Sequence, residues 1–185
     1  NLADHPELTR LSALKNERIS FQLLYTDDTT DATLPYRATT YQLQIDGLPK
    51  EFLSVRHVDS VPVTIPCLAE NGDGNFLRTT PGLYPDVLSP LYKNVVSVMR
   101  GQLQSVWIEV DPAEQLPAGE HTVTVRLLDG AREVQAENVL TLTIVDALLP
   151  PQEMILTQWF HCDCLANYYN VPVWSEEHWR IVENF

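Results

Sequence analysis

The sequence predicts a mainly β chain, an antiparallel β-sandwich followed by the truncated first βα unit of a larger α/β domain. Two observations carry the sandwich: apolar and polar residues alternate strictly in several segments, and turn-forming residues separate those segments. A third carries the second part, because the alternation stops after Asp146, a proline pair follows, and a strongly marked helix start appears at Ser175.

The first alternating segment sets Ile19, Phe21, Leu23 and Tyr25 on one face, with Arg18, Ser20, Gln22 and Thr26 opposite. Side chains of a strand point alternately to its two faces, so this is a half-buried strand. Tyr41, Leu43 and Ile45 repeat the pattern, as do Val106, Ile108 and Val110, then Val123, Val125 and Leu127, then Leu140, Leu142 and Ile144. Phe21, Leu43, Ile108, Val125 and Leu142 are therefore expected in a core between two sheets. Asp46-Gly47, Asn71-Gly72-Asp73-Gly74, Asp111-Pro112, Pro117-Ala118-Gly119 and Asp129-Gly130 supply the turns. Val61, Val63 and Ile65 also alternate, but Pro62 and Pro66 cannot donate to a ladder, which assigns that run to an edge or an extended connector. The stretch 67–91 reads as a long structured loop.

The expected organisation is a β-sandwich accessory domain over 1–146, a linker over 147–152 containing Pro150-Pro151, and a truncated α/β start over 153–185. The apolar run 154–160 fits a strand buried on both faces. A loop rich in aromatics follows it. Ser175 then caps a helix over 176–185, Glu176 and Glu177 sit where the helix dipole favours anions, and Trp174 and Trp179 occupy the staple positions. Trp179, Val182 and Phe185 form its expected buried side. The sequence stops inside this helix without a glycine or proline, which reads as truncation.

Composition narrows the function classes. Twelve basic against 25 acidic residues give a formal charge of −13, which repels a phosphate backbone, so nucleic acid is not an expected partner. The longest apolar stretch is shorter than the roughly 20 residues of a membrane-spanning helix, so no membrane partner is expected; no signal peptide is visible, and an already removed one would leave the same sequence. Three cysteines, two of them separated by one residue, do not form a disulfide framework and point to the cytoplasm, with secretion as the alternative.

Four segments carry a resemblance. Thr157-Gln158-Trp159-Phe160-His161-Cys162-Asp163-Cys164-Leu165-Ala166, followed by Tyr168, Tyr169, Val171-Pro172-Val173 and Ser175-Glu176-Glu177-His178-Trp179, resembles the start of the catalytic barrel in proteins carrying domain of unknown function 4091. Upstream, Lys15-Asn16-Glu17-Arg18-Ile19-Ser20-Phe21-Gln22 resembles the signature of their N-terminal sandwich, and Tyr84-Pro85-Asp86-Val87-Leu88-Ser89-Pro90-Leu91 and Val106-Trp107-Ile108-Glu109-Val110 match as well. Those proteins are similar to glycoside hydrolase family 123, which implies a sandwich followed by a (β/α)₈ barrel and an N-acetylhexosamine-containing glycan as substrate. In that family an adjacent Asp-Glu pair performs substrate-assisted hydrolysis, the aspartate orienting the acetamido group and the glutamate acting as general acid. No Asp-Glu dipeptide occurs in this chain. The resemblance therefore implies a non-catalytic N-terminal portion of a hydrolase, inactive alone, with carbohydrate and the catalytic barrel of the same chain as partners. A stand-alone carbohydrate-binding or structural interaction sandwich is the alternative that the strand pattern permits.

His161 and Asp163 fall where a barrel strand ends, which is where barrel active sites are built, and they are the expected sugar contacts together with Trp159. Tyr168 and Tyr169 stand in the same neighbourhood. The competing reading makes the aromatics core residues and His161 a backbone hydrogen-bonding group. His161, Cys162 and Cys164 lack the further ligands of a tetrahedral metal site, and Cys67 is remote in sequence. Asp27, Asp28 and Asp31, and Glu70, Asn71, Asp73 and Asn75, are polar loop clusters without calcium-loop spacing. No cofactor is expected. Glu17 and Gln22 are expected to make structural hydrogen bonds.

Overall fold

The computed structural model describes residues 7–27, 38–65, 74–76, 78–155, 157 and 159–185. The alternating segments pair as strands because each has one apolar face to bury and a ladder to complete. In order these are β1 (Arg10–Leu14), β2 (Ile19–Tyr25), β3 (Ala38–Asp46), β4 (Leu53–Val63), β5 (Gly82–Pro90), β6 (Val95–Met99), β7 (Gln104–Val110), β8 (Gly119–Leu128) and β9 (Val134–Val145). Two helices follow, α1 (Cys162–Tyr169) and α2 (Glu176–Asn184).

The strands form a five-stranded sheet of order β1-β9-β8-β3-β6 and a four-stranded sheet of order β2-β7-β4-β5. Their inner faces share one layer of side chains. Leu43, Val96, Val98, Val125 and Leu127 of the first sheet pack with Tyr25, Val106 and Ile108 of the second. A neighbouring cluster joins Ala13, Val123, Leu140, Leu142 and Ile144 to Val110, Phe52 and Leu116. Phe21 is half-buried and packs against both clusters, while Leu43, Ile108, Val125 and Leu142 are buried. Apolar side chains that find partners on both sheets make this architecture a sandwich.

The sandwich is not wholly antiparallel, since β1 runs parallel to β9 from Arg10 opposite Thr141 to Leu14 opposite Val145. Residues 15–18 carry the chain from one sheet to the other instead of back along its neighbour, so hairpin geometry does not set the direction of β1. That corner is tied down by its polar groups. The Glu17 carboxylate accepts the Leu14 N–H at 2.9 Å, and the Asn16 side-chain amide both donates to the Leu149 carbonyl at 3.0 Å and accepts its N–H at 2.6 Å. Arg18 reaches Asp111 at 2.8 Å, which holds the Asp111 carboxyl below its ordinary range. Gln22 is exposed on β2.

The stretch expected as a loop over 67–91 contains β5, paired antiparallel with β4. Its prolines hide it from a propensity reading, yet an edge strand needs fewer donors. Asp59 lies opposite Val87 and Ser60 opposite Pro85, so Asp86 bulges next to the proline. Beyond His57, β4 has no β7 partner, which agrees with an edge placement of Val61, Pro62 and Val63. Gly47 turns the chain after β3 with φ 98°, and a Cβ there would stand 1.9 Å from the Thr122 carbonyl oxygen, so other residues are barred.

The chain divides into two compact units, Asn1–Leu149 and Pro150–Phe185. In the second, the described residues of the run 154–160 lie outside any strand, and Met154 and Ile155 are 70% and 88% exposed. The buried strand expected there does not form among those residues. A strand becomes regular by pairing, and the described residues of this unit form no neighbouring strand.

Candidate functional site

Residues 159–185 build a small two-helix unit from local signals. α1 begins after His161, which occupies the N-cap position without a side-chain capping bond, and Asp163 lies in its first turn, where the dipole favours a carboxylate. The helix ends at Asn170, whose left-handed φ of 54° and ψ of 46° stop it, with Val171 N–H returned to the Ala166 carbonyl at 3.0 Å. The sequence pattern predicts a loop here, and the structure forms a helix instead. Asn170 followed by Pro172 was the stop signal that could have revealed the helix.

α2 starts as its sequence predicts. The Ser175 hydroxyl accepts the His178 N–H at 3.2 Å, and the Trp174 and Trp179 rings stack at 5.1 Å between centroids. The buried face differs from the expected one, because Trp179 and Phe185 are exposed and Val182 is half-buried, while His178 is wholly enclosed. Its ring is used at both nitrogens: Nδ1 accepts the Trp174 N–H at 2.9 Å and Nε2 donates to the Cys162 carbonyl at 2.8 Å. Those two bonds place the ring proton on Nε2. Sequence reasoning missed this residue, since a histidine in a first helical turn gives no periodic signal of burial.

The expected sugar contacts stand in solvent. Trp159 is fully exposed, the His161 and Asp163 side chains are 85% and 61% exposed, and His161 Nδ1 lies 3.9 Å from Asp163 Oδ1. That separation is too long for a hydrogen bond, so neither group fixes the other. Tyr168 and Tyr169 meet edge to face at 5.0 Å and are also exposed. Cys162 and Cys164 are free thiols. Among the described residues no group of three or more His, Cys, Asp or Glu could hold a metal ion. Cys67, Asp28, Asp31, Glu70, Asn71 and Asp73 lie outside the described residues. A cavity of about 320 Å³ lies in the sandwich, lined among others by Tyr25, Tyr41, Val98 and Val125.

The model of the glycoside hydrolase 123 catalytic domain matches residues 159–185, the stretch that holds both helices and all three expected contacts. A structural match comes from a family 123 glycoside hydrolase of Clostridium perfringens, studied for the details of glycolipid glycan hydrolysis, with TM-score 0.69 and 12% identity. The chain is similar to glycoside hydrolase family 123. That alignment covers 97% of this chain and 31% of the clostridial one, so the chain spans about a third of the length of its family 123 neighbour. No curated protein matches the sequence. At this identity the likeness to the clostridial protein is one of fold, and the family similarity in sequence is carried by the helical unit. No helix among the described residues is long and apolar enough to cross a membrane.

Proposed function

We propose that residues 1–146 are the non-catalytic accessory sandwich of a glycoside hydrolase acting on N-acetylhexosamine-containing glycans, and that the helical unit opens its catalytic barrel. The match of residues 159–185 to the family 123 catalytic domain is the observation that carries this reading. His161, Asp163 and Trp159 contact the sugar in the complete protein: hydroxyl groups need polar partners, and an indole face suits the apolar side of a pyranose. Their exposure in the chain leaves them available to such a ligand. The acid and the acetamido-orienting carboxylate come from an Asp-Glu pair outside this sequence, which has none.

Chromogenic N-acetylhexosaminides test the assignment. The 185-residue chain should show no turnover, and the reading frame beyond Phe185 should encode further βα units with an Asp-Glu pair. Turnover by the purified chain, free of contaminating hydrolase, would place the catalytic carboxylates in the sandwich. In the full-length protein, His161→Ala and Asp163→Ala should each weaken N-acetylgalactosamine binding by about tenfold, the worth of one good hydrogen bond. Unchanged affinity in both would leave these side chains with structural roles only.

A further inference from the structure

We propose that His178 is a positioning residue: it holds the Cys162 carbonyl, and with it the backbone bearing His161 and Asp163, against the first turn of α2. The proposal rests on the reading of those two side chains as sugar contacts.

His178 is 0% exposed, whereas Glu177 and Trp179 beside it face solvent. A buried imidazole is costly unless both nitrogens are used, and here both are, by groups from different segments. The Cys162 carbonyl belongs to the peptide that joins Cys162 to Asp163, and His161 is one residue upstream. Holding that peptide plane therefore fixes the backbone from which both exposed side chains project. Neither side chain has a strong tie of its own, since their mutual separation is 3.9 Å and His161 makes no capping bond. An apolar residue of the same size would fill the space and leave the Trp174 amide and the Cys162 carbonyl without the ring.

The two bonds can be separated by substitution. In His178→Gln the terminal amide reaches the place of Nε2 and keeps a donor for Cys162. In His178→Asn the shorter amide stops at the place of Nδ1 and keeps an acceptor for Trp174. In the 185-residue chain, ring ¹⁵N shifts should show Nε2 protonated and Nδ1 bare, and the backbone shifts of residues 161–164 should survive in the Gln variant and move in the Asn variant. In the full-length protein the Gln variant should bind N-acetylgalactosamine within about threefold of wild type, and the Asn variant about tenfold more weakly.

Backbone shifts at 161–164 unmoved by His178→Asn would overturn the proposal. So would affinities that fall in both variants only in proportion to lost thermal stability, which would make His178 a packing residue. If His161→Ala and Asp163→Ala leave sugar binding unchanged, the functional reading fails and takes the sugar half of this proposal with it; the shift pattern then decides the positioning half alone.

Discussion

In the sandwich, Val96, Val106 and Ile108 are wholly enclosed between two sheets, whereas among the described residues of the helical unit the wholly enclosed side chain is a histidine and Trp159, Trp174 and Trp179 face solvent. Both stretches are rich in large apolar residues, so composition does not make the difference. Topology does. Two sheets give every inward residue of one a partner layer on the other, while two short helices enclose little more than Ala166 and His178. The first unit is held by apolar area and the second by directed hydrogen bonds at helix ends.

The largest expected effect lies in the sandwich. Ile108→Ala, at the centre of β7, should cost about 2–5 kcal/mol in denaturant unfolding, through lost burial and the cavity left behind. Phe21→Ala should cost about 2–3 kcal/mol, below the usual range for a buried phenylalanine, because its ring is half-buried where the two clusters meet. A loss under 1 kcal/mol at Ile108 would break the comparison by showing that apolar area does not hold the first unit.

Ser175→Ala sharpens the other side. Removing the cap of α2 should cost about 1 kcal/mol of helical stability, read as faster amide exchange at His178 with exchange in β7 and β8 unchanged. Coupled changes in both units would show that they unfold together.

The smallest effect at neutral pH belongs to Tyr25, whose hydroxyl is buried without a hydrogen-bond partner among the described residues. Burial, and then the nearby Asp59 carboxylate, pushes its ionisation up to about 12. A raised folded value means that the stabilising contribution is fully present below the unfolded value of about 10 and is lost as pH rises through about 12. Tyr25→Phe should change stability by less than about 1 kcal/mol at pH 7 and should flatten the loss between pH 10 and 12. An alkaline limb identical to wild type would assign that loss to other groups.

Legibility in the sequence followed the same division. Strands β2, β3, β7, β8 and β9 bury one face against a partner sheet, so their alternation could be read directly. β1 is short and places Ala13 inward, β4 mixes Arg56, His57 and Asp59 into its pattern, and β5 holds Pro85 and Pro90, so none of them shows a clean period. β6 is five residues between a left-handed Asn94 and Gly101. In the helical unit the cap and staple at α2 were legible because they are local chemistry. α1 was not, since eight residues with two cysteines and two tyrosines carry little propensity. The role of His178 depends on a carbonyl 16 positions away, which no local pattern encodes.

The pairing of the first and last strands of the sandwich gives it a direction of strength. Because β1 and β9 are parallel, a pull on the start of β1 against the end of β9 slides one strand along the other, and the hydrogen bonds from Arg10 to Leu14 share the load instead of opening one by one. Asn16 on Leu149 and the Lys15 amide on the Ala147 carbonyl extend that seam to the end of the first unit. Single-molecule extension through these two ends should meet a higher rupture force than extension through the open end of the β8–β9 hairpin, whose antiparallel ladder unzips from Gly119 and Ile144. The polarity of one strand pair would then make the sandwich a rigid mount under tension along the chain.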